Sequence, residues 1–118
     1  MGVHPVRTAR VYDAPGPDEG TRVLVDRLWP RGLSKDKARV DVWLKDIAPS
    51  KELRGWYGHD AAKHAEFARR YRAELDQDDH AEAMTKLRSL LEEGPVTLLT
   101  ATKDLSLSQA RVLAEGLG

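Results

Sequence analysis

The sequence predicts an α/β fold: a single small layered domain with a short, mainly parallel central sheet flanked by helices. Three observations support this. Two short runs, Val23-Leu24-Val25 and Val96-Thr97-Leu98-Leu99, are continuously apolar or nearly so, as in strands buried on both faces, and lack the alternation of a half-solvated sheet. Two longer stretches with helical periodicity lie between them. A further amphipathic stretch follows the second run, so the crossover through the helical pair makes Val96–Thr100 parallel to an earlier strand. With 118 residues the chain has room for one core, so residues 1–118 read as one domain, with 1–5 as a flexible tail.

The first strand is expected over residues 7–13, RTARVYD, and is ended by the prolines and glycines of APGPDEG. The second is TRVLVDRL, centred on residues 22–25 and stopped by Pro30 and Gly32. Residues 40–50, VDVWLKDIAPS, set Val42 and Leu44 against Trp43, Lys45 and Ile47, the alternation of a short strand or extended strip. A helix starts at Asp60, whose carboxylate can accept from first-turn amides. Phe67, Ala68, Tyr71 and Leu75 form its apolar stripe, and Glu66, Arg70 and Glu74 form i,i+4 pairs on its solvated face. A second helix covers about 79–93 with Met84, Leu87, Leu90 and Leu91 inward; Gly94 fits its C-cap and Pro95 ends it. After the strand VTLLT, the last helix is expected to begin at Ser106. Ser106 and Gln109 would form a capping box, with Leu105 stapled onto Ala110 and Ala110, Leu113, Ala114 and Leu117 inward. There is no internal repeat or low-complexity segment.

Composition narrows the function classes. Lys and Arg total 19 and Asp and Glu total 19, so any electrostatic specificity is local rather than a property of the whole chain. The absence of cysteine excludes disulfides, thiolate metal sites and cysteine nucleophiles. The amino terminus has no apolar signal core, and no run approaches the roughly 20 apolar residues of a membrane span, so a soluble cytoplasmic protein is expected.

The stretch Val25-Asp26-Arg27-Leu28-Trp29-Pro30-Arg31-Gly32 begins as strand and then sets charged, aromatic and turn residues side by side. If its strand runs in the same sense as Val96–Thr100, then Asp26, Arg27 and Trp29 leave one carboxyl end while Thr100, Thr102, Lys103 and Asp104 leave the next. Open α/β sheets bind ligands at such a rim. Arg27 and Arg31 offer planar forks for carboxylate or phosphate, and Lys103 a point charge. The final helix offers amino-terminal amides near Ser106 and Ser108, and Trp29 an apolar wall. The competing reading is a salt-bridge network of Asp26 and Arg27 with Asp104 and Lys103, with Trp29 plugging the core edge.

His59, in the loop WYGHD, is a candidate general acid or base if that loop folds over the rim; such a histidine more often only hydrogen-bonds within its loop. His64 and His80 fall on helices and His4 in the tail, with no spacing suited to zinc. Asp26 and Asp104 would hold magnesium only together with a bound phosphate, so neither a metal nor a cofactor is expected. Dinucleotide, P-loop and GxSxG motifs are absent.

The segment VLVDRLWPRGLSKDKARVDVWLKDIAPSKELRGWYGHD, followed by FARRYRAEL and VTLLTATKD, closely resembles the domain of unknown function 488 family, the YeaO-like proteins, over about residues 6–117. DRxWPRG, WLKDIAPS and GHD together are highly specific. The resemblance implies a small bacterial or archaeal cytoplasmic α/β domain without an established activity. Its pattern falls on Asp26, Arg27, Trp29, Pro30, Arg31, Gly32, Trp43, Lys45, Pro49, Ser50, Leu53, Arg54, Gly58, His59, Lys103 and Asp104. After Lys103-Asp104, similar sequences carry acidic residues and then a His-Asn pair; this chain has Leu105-Ser106-Leu107-Ser108-Gln109. If the family's chemistry needs that pair, this protein either binds without reacting or uses Ser108 or Gln109 differently.

Three function classes follow. In the first, a small anionic ligand binds to Arg27, Trp29, Arg31, Lys45, Lys103, Asp104, Ser106 and Ser108, with His59 or Asp26 transferring protons. The second is a nucleic-acid module using the same arginines, Arg27 and Arg31, with Lys35, Lys37, Arg39, Lys45, Lys51 and Arg54 as a basic face and Trp56 or Tyr57 for stacking. The third is a partner-binding domain, a homodimer being the simplest case, that buries Trp29, Trp43 and Trp56.

Overall fold

The computed structural model describes residues 5–16 and 20–117; His4 and most of the expected tail lie outside them. Four parallel strands, β1 (Val6–Arg10), β2 (Thr21–Leu24), β3 (Val42–Trp43) and β4 (Val96–Thr100), form one sheet in the order β1-β4-β2-β3. The two apolar runs are therefore neighbours at its centre, with Val23 opposite Leu98 and, on its other side, Val42. Helix α1 (Lys35–Ala38) links β2 to β3. Helices α2 (Lys51–Tyr57), α3 (His64–Leu75) and α4 (Asp78–Glu93) link β3 to β4, and α5 (Gln109–Leu117) closes the chain.

Strand periodicity sends alternate residues into two cores, which explains the continuous apolar runs. Val23, Val25, Val96 and Leu98 pack with Phe67, Tyr71, Leu87 and Leu113 on the helical face. Leu24 and Leu99 point the other way, to a smaller cluster with Val11 and Ala38, onto which Trp29 and Leu33 pack.

Gly20 sets where β2 begins. Its φ is +69°, and a Cβ there would lie 2.1 Å from the Pro95 carbonyl oxygen, which accepts from the Thr21 amide at 3.0 Å. Only glycine permits this approach, which aligns the starts of β2 and β4.

Several expected boundaries shift. β1 ends at Arg10, not residue 13: although the Val11 amide still bonds to Thr100, Asp13 folds back, its amide donating to the Arg10 carbonyl and its carboxylate accepting from the Arg10 amide. The strip at 40–50 is strand only at Val42–Trp43, followed by the 3-10 turn Lys45–Ile47. Periodicity did not reveal α1 or α2, whose serine caps are clear: Ser34 accepts from the Lys37 amide and Ser50 from the Leu53 amide. Asp60 caps as expected, accepting from Ala62, but it caps the 3-10 turn Ala61–Lys63 that precedes α3. Gly94 caps α4 as expected, its amide donating to the Leu90 carbonyl, with an extended φ of 172°. The expected capping box of Ser106 and Gln109 does not form. Ser106 lies in the 3-10 turn Leu105–Leu107, capped by Asp104, while the Ser108 hydroxyl accepts from the Arg111 amide at the start of α5.

Candidate functional site

Because β2 and β4 are adjacent and parallel, their carboxyl ends share one edge of the sheet. A cleft of about 390 Å³ opens there. The loop after β2 contributes Asp26 to Arg31, and Ala101 and Thr102 follow β4. Ala48, Arg54, His59 and Gln109 complete the lining.

Asp26 joins the two strand ends. One carboxylate oxygen accepts from the Thr100 hydroxyl at 2.7 Å and the Gln109 amide at 2.5 Å, and the other from the Ala101 backbone amide at 2.8 Å. The loop is fixed on its far side as well. The Trp29 indole N–H donates to the Leu33 carbonyl and the Trp43 indole N–H to the Asp26 carbonyl, both at 2.7 Å, and the two rings meet edge to face at 5.5 Å. Gly32, with φ +72°, supplies the left-handed residue that lets the chain turn between Arg31 and Leu33.

The WLKDIAPS segment contributes Ala48 to the lining and is anchored from behind. The buried Tyr71 hydroxyl donates to Ile47 O at 2.6 Å, and His80 Nε2 donates to Ala48 O at 3.0 Å. The Ser50 amide and hydroxyl both donate to the Glu74 carboxylate. Burial pushes the Tyr71 phenol well above its usual range, which keeps it a donor at ordinary pH. This anchoring orients α2, so that Arg54 faces the cleft. Gly58 (φ 52°) and His59 (φ 58°), both left-handed, then turn the chain and leave His59 at the lip. The Tyr57 hydroxyl donates to Leu107 O at 2.8 Å, tying the end of α2 to the segment after β4. Burial, then the negative charges of Asp104 and Asp60, raise the Tyr57 phenol above its usual value.

Three guanidinium groups, those of Arg27, Arg31 and Arg54, are exposed at this cleft, and none makes a hydrogen bond or ion pair with another described residue. Asp26 bonds to Thr100, Ala101 and Gln109, so the alternative salt-bridge network with Arg27, Lys103 and Asp104 is not formed among the described residues. Of the residues singled out from sequence, Asp26, Arg27, Trp29, Arg31 and His59 share the cleft. The others lie elsewhere. Lys45 borders a separate depression with Asp46, Asp79, Glu82 and Lys86. Lys103 is exposed outside the lining. Asp104 accepts from both the Ser106 hydroxyl and its amide, which hold that carboxyl below its ordinary range. Ser108 is fully buried as a cap.

Sequence reasoning placed Thr102 at the rim and Arg54 in the family pattern and basic face but counted neither, nor Gln109, among the anion's ligands. Arg54 stands four residues after the cap Ser50, a spacing that becomes informative once α2 is recognised. Of the residues named for base stacking, Tyr57 is buried and the Trp56 ring carries Arg70 at 4.3 Å and Lys63 at 5.2 Å, whereas Lys35, Lys37, Arg39, Lys45, Lys51 and Arg54 of the basic face are all exposed. Among the described residues no group of three or more His, Asp or Glu side chains could hold a metal ion, and no helix is long and apolar enough to cross a membrane.

Comparison with known proteins adds a consistent picture. Residues 5–118 match the family model described as the inactive DUF488-N3 subclade. The uncharacterized protein Rv3073c of Mycobacterium tuberculosis (strain H37Rv) is 51% identical over 110 residues, covering 93% of this chain and 91% of that protein. The uncharacterized protein YeaO of Escherichia coli K12 is 39% identical over 112 residues, covering 95% of this chain and 96% of its own length. No solved structure matches the chain.

Proposed function

Because this chain belongs to the DUF488 family, in the DUF488-N3 subclade described as inactive, we propose that its rim cleft binds a small anionic ligand and holds it without transforming it. One observation carries the reading: Arg27, Arg31 and Arg54 line one cleft with no acid among the described residues paired to any of them, while the carboxylate in that lining, Asp26, accepts from three other donors. Guanidinium groups with a structural role are normally matched with acids or carbonyls, as Arg22 is by three carbonyls. Unmatched planar forks around a concavity suit a carboxylate or phosphate.

The departure after Asp104 supports binding without reaction. Gln109 stands in the stretch where similar sequences carry a His-Asn pair, and its amide donates to Asp26. An amide has no titratable proton to relay, so Asp26 serves as a brace for the rim and His59 as a hydrogen-bonding group at the lip.

The test is the double replacement of Arg27 and Arg31 by alanine, assayed by thermal shift against a panel of phosphate esters and carboxylates. Ligand binding should raise the wild-type midpoint by mass action. The double variant should fold with a stability within about 0.5 kcal/mol per site of wild type, as for exposed surface positions, and lose the ligand-induced shift. A variant that loses several kcal/mol, or that keeps the full shift, would overturn the reading.

A further inference from the structure

We infer that the ligand is a small phosphomonoester, bound as its dianion with an apolar body; this rests on the anion-binding reading above and narrows it to one chemical class. The first argument is stoichiometric. A carboxylate presents two oxygens, which one planar guanidinium satisfies bidentately, so a lone carboxylate would leave two of the three arginines unused. A terminal phosphate ester presents three oxygens and carries about −1.5 to −2 charges near neutral pH. Arg27, Arg31 and Arg54 set against Asp26 give the lining three positive charges and one negative, 3 − 1 = +2, which matches the dianion.

The second argument is the choice of cation. All three are arginine, with no lysine in the lining. Arginine forms forked, directional contacts to phosphate oxygens, whereas lysine acts as a compact point charge. The three forks stand on two separate segments, the loop after β2 and helix α2, an arrangement that suits an anion with three oxygens.

The third argument is the apolar remainder. Leu28, at the lip, is 73% exposed and Trp29 beside it is half-buried; these two give the lining its apolar surface, while Pro30 and Ala48 are buried. A volume of about 390 Å³ far exceeds that of a bare phosphate and lies within the range of small-molecule sites, about 300–1,000 Å³. Inorganic phosphate would neutralise the arginines and leave this surface in water; an ester with an apolar or aromatic group would cover both.

Titration calorimetry with defined probes tests the inference: phenyl phosphate, inorganic phosphate, the monoanionic diester methyl phenyl phosphate, and benzoate. Phenyl phosphate should bind at least about tenfold more tightly than each of the other three, a difference near 1.4 kcal/mol. Its affinity should also rise with pH through the ester's second ionisation at about 6, beyond any change seen for the diester, which has no second ionisation. Equal or tighter binding of benzoate or the diester, abolished by the Arg27 and Arg31 replacements, would overturn the phosphomonoester class and leave the anion site standing. Inorganic phosphate binding as tightly as phenyl phosphate would overturn the apolar body. If none of the four probes binds, both the class and the anion site fall together.

Discussion

Asp26 connects three parts of the chain far apart in sequence: its own loop after β2, the end of β4 at Thr100 and Ala101, and the first residue of α5, Gln109. Replacing Asp26 with alanine leaves those partly buried donors without an acceptor, which costs about 1–3 kcal/mol. Denaturant unfolding should show a lower midpoint at unchanged slope, and an unchanged midpoint would show that the brace is dispensable. Tyr71 contributes with Tyr57 to the alkaline limit, both phenols being raised. Burial is the main cause of the raised Tyr71 phenol, followed by the charges of Glu74 and Asp26. Its folded value therefore lies above the unfolded value near 10. The stabilisation is complete below pH about 10 and is lost as pH rises above it, because only the unfolded chain ionises there. Tyr71→Phe should lower stability at neutral pH by about 1 kcal/mol for the lost bond to Ile47 and flatten the alkaline decline, as followed by circular dichroism against pH. An unchanged alkaline limb would assign that decline to other groups.

At the scale of elements, the start of β2 depends on a single atom-sized gap. Gly20→Ala would put a methyl group into the Pro95 carbonyl at a left-handed φ, combining a steric clash with backbone strain. The strand starts must separate, and a loss of more than about 2 kcal/mol is expected in thermal or denaturant unfolding, in the range of the larger single-site effects. A near-neutral variant would mean that the loop relaxes freely. The same scale shows what sequence could reveal. Strands buried on both faces announce themselves as unbroken apolar runs, so β2 and β4 and their parallel sense were legible, as were the long stripes of α3 and α4. Helices of four and seven residues complete too few turns to display a stripe, so α1 and α2 were missed despite Ser34 and Ser50. The site followed suit. The residues sharing the cleft came from the break after a legible strand, whereas Arg54 sat on a missed helix. Gln109 was misassigned because the spacing of Ser106 and Gln109 imitates a capping box while Ser108 is the residue that caps α5.

For the molecule as a whole, the sheet divides unequal cores. One face carries α3, α4 and α5 over a large cluster; the other is closed by Val11, Leu24, Ala38 and Leu99, with Trp29 and Leu33 packed on them. The free energy of a local opening rises with the apolar surface that the opening exposes to water, so the thin face should open well before the thick one. Native-state hydrogen exchange should find the amides of β4 and α4 protected to the level of global unfolding and those of α1 and the loop after β2 exchanging through a smaller opening. Uniform protection would mean that both cores unfold together.

The perpendicular indoles of Trp29 and Trp43 have an optical consequence. Chromophores 5.5 Å apart and steeply inclined share their excited states, so together they generate a paired positive and negative dichroic band that neither produces alone. That signature joins Trp29 of the cleft to Trp43 behind it and should vanish if the loop after β2 swings away, giving the protein a built-in spectroscopic gauge of whether its rim is assembled.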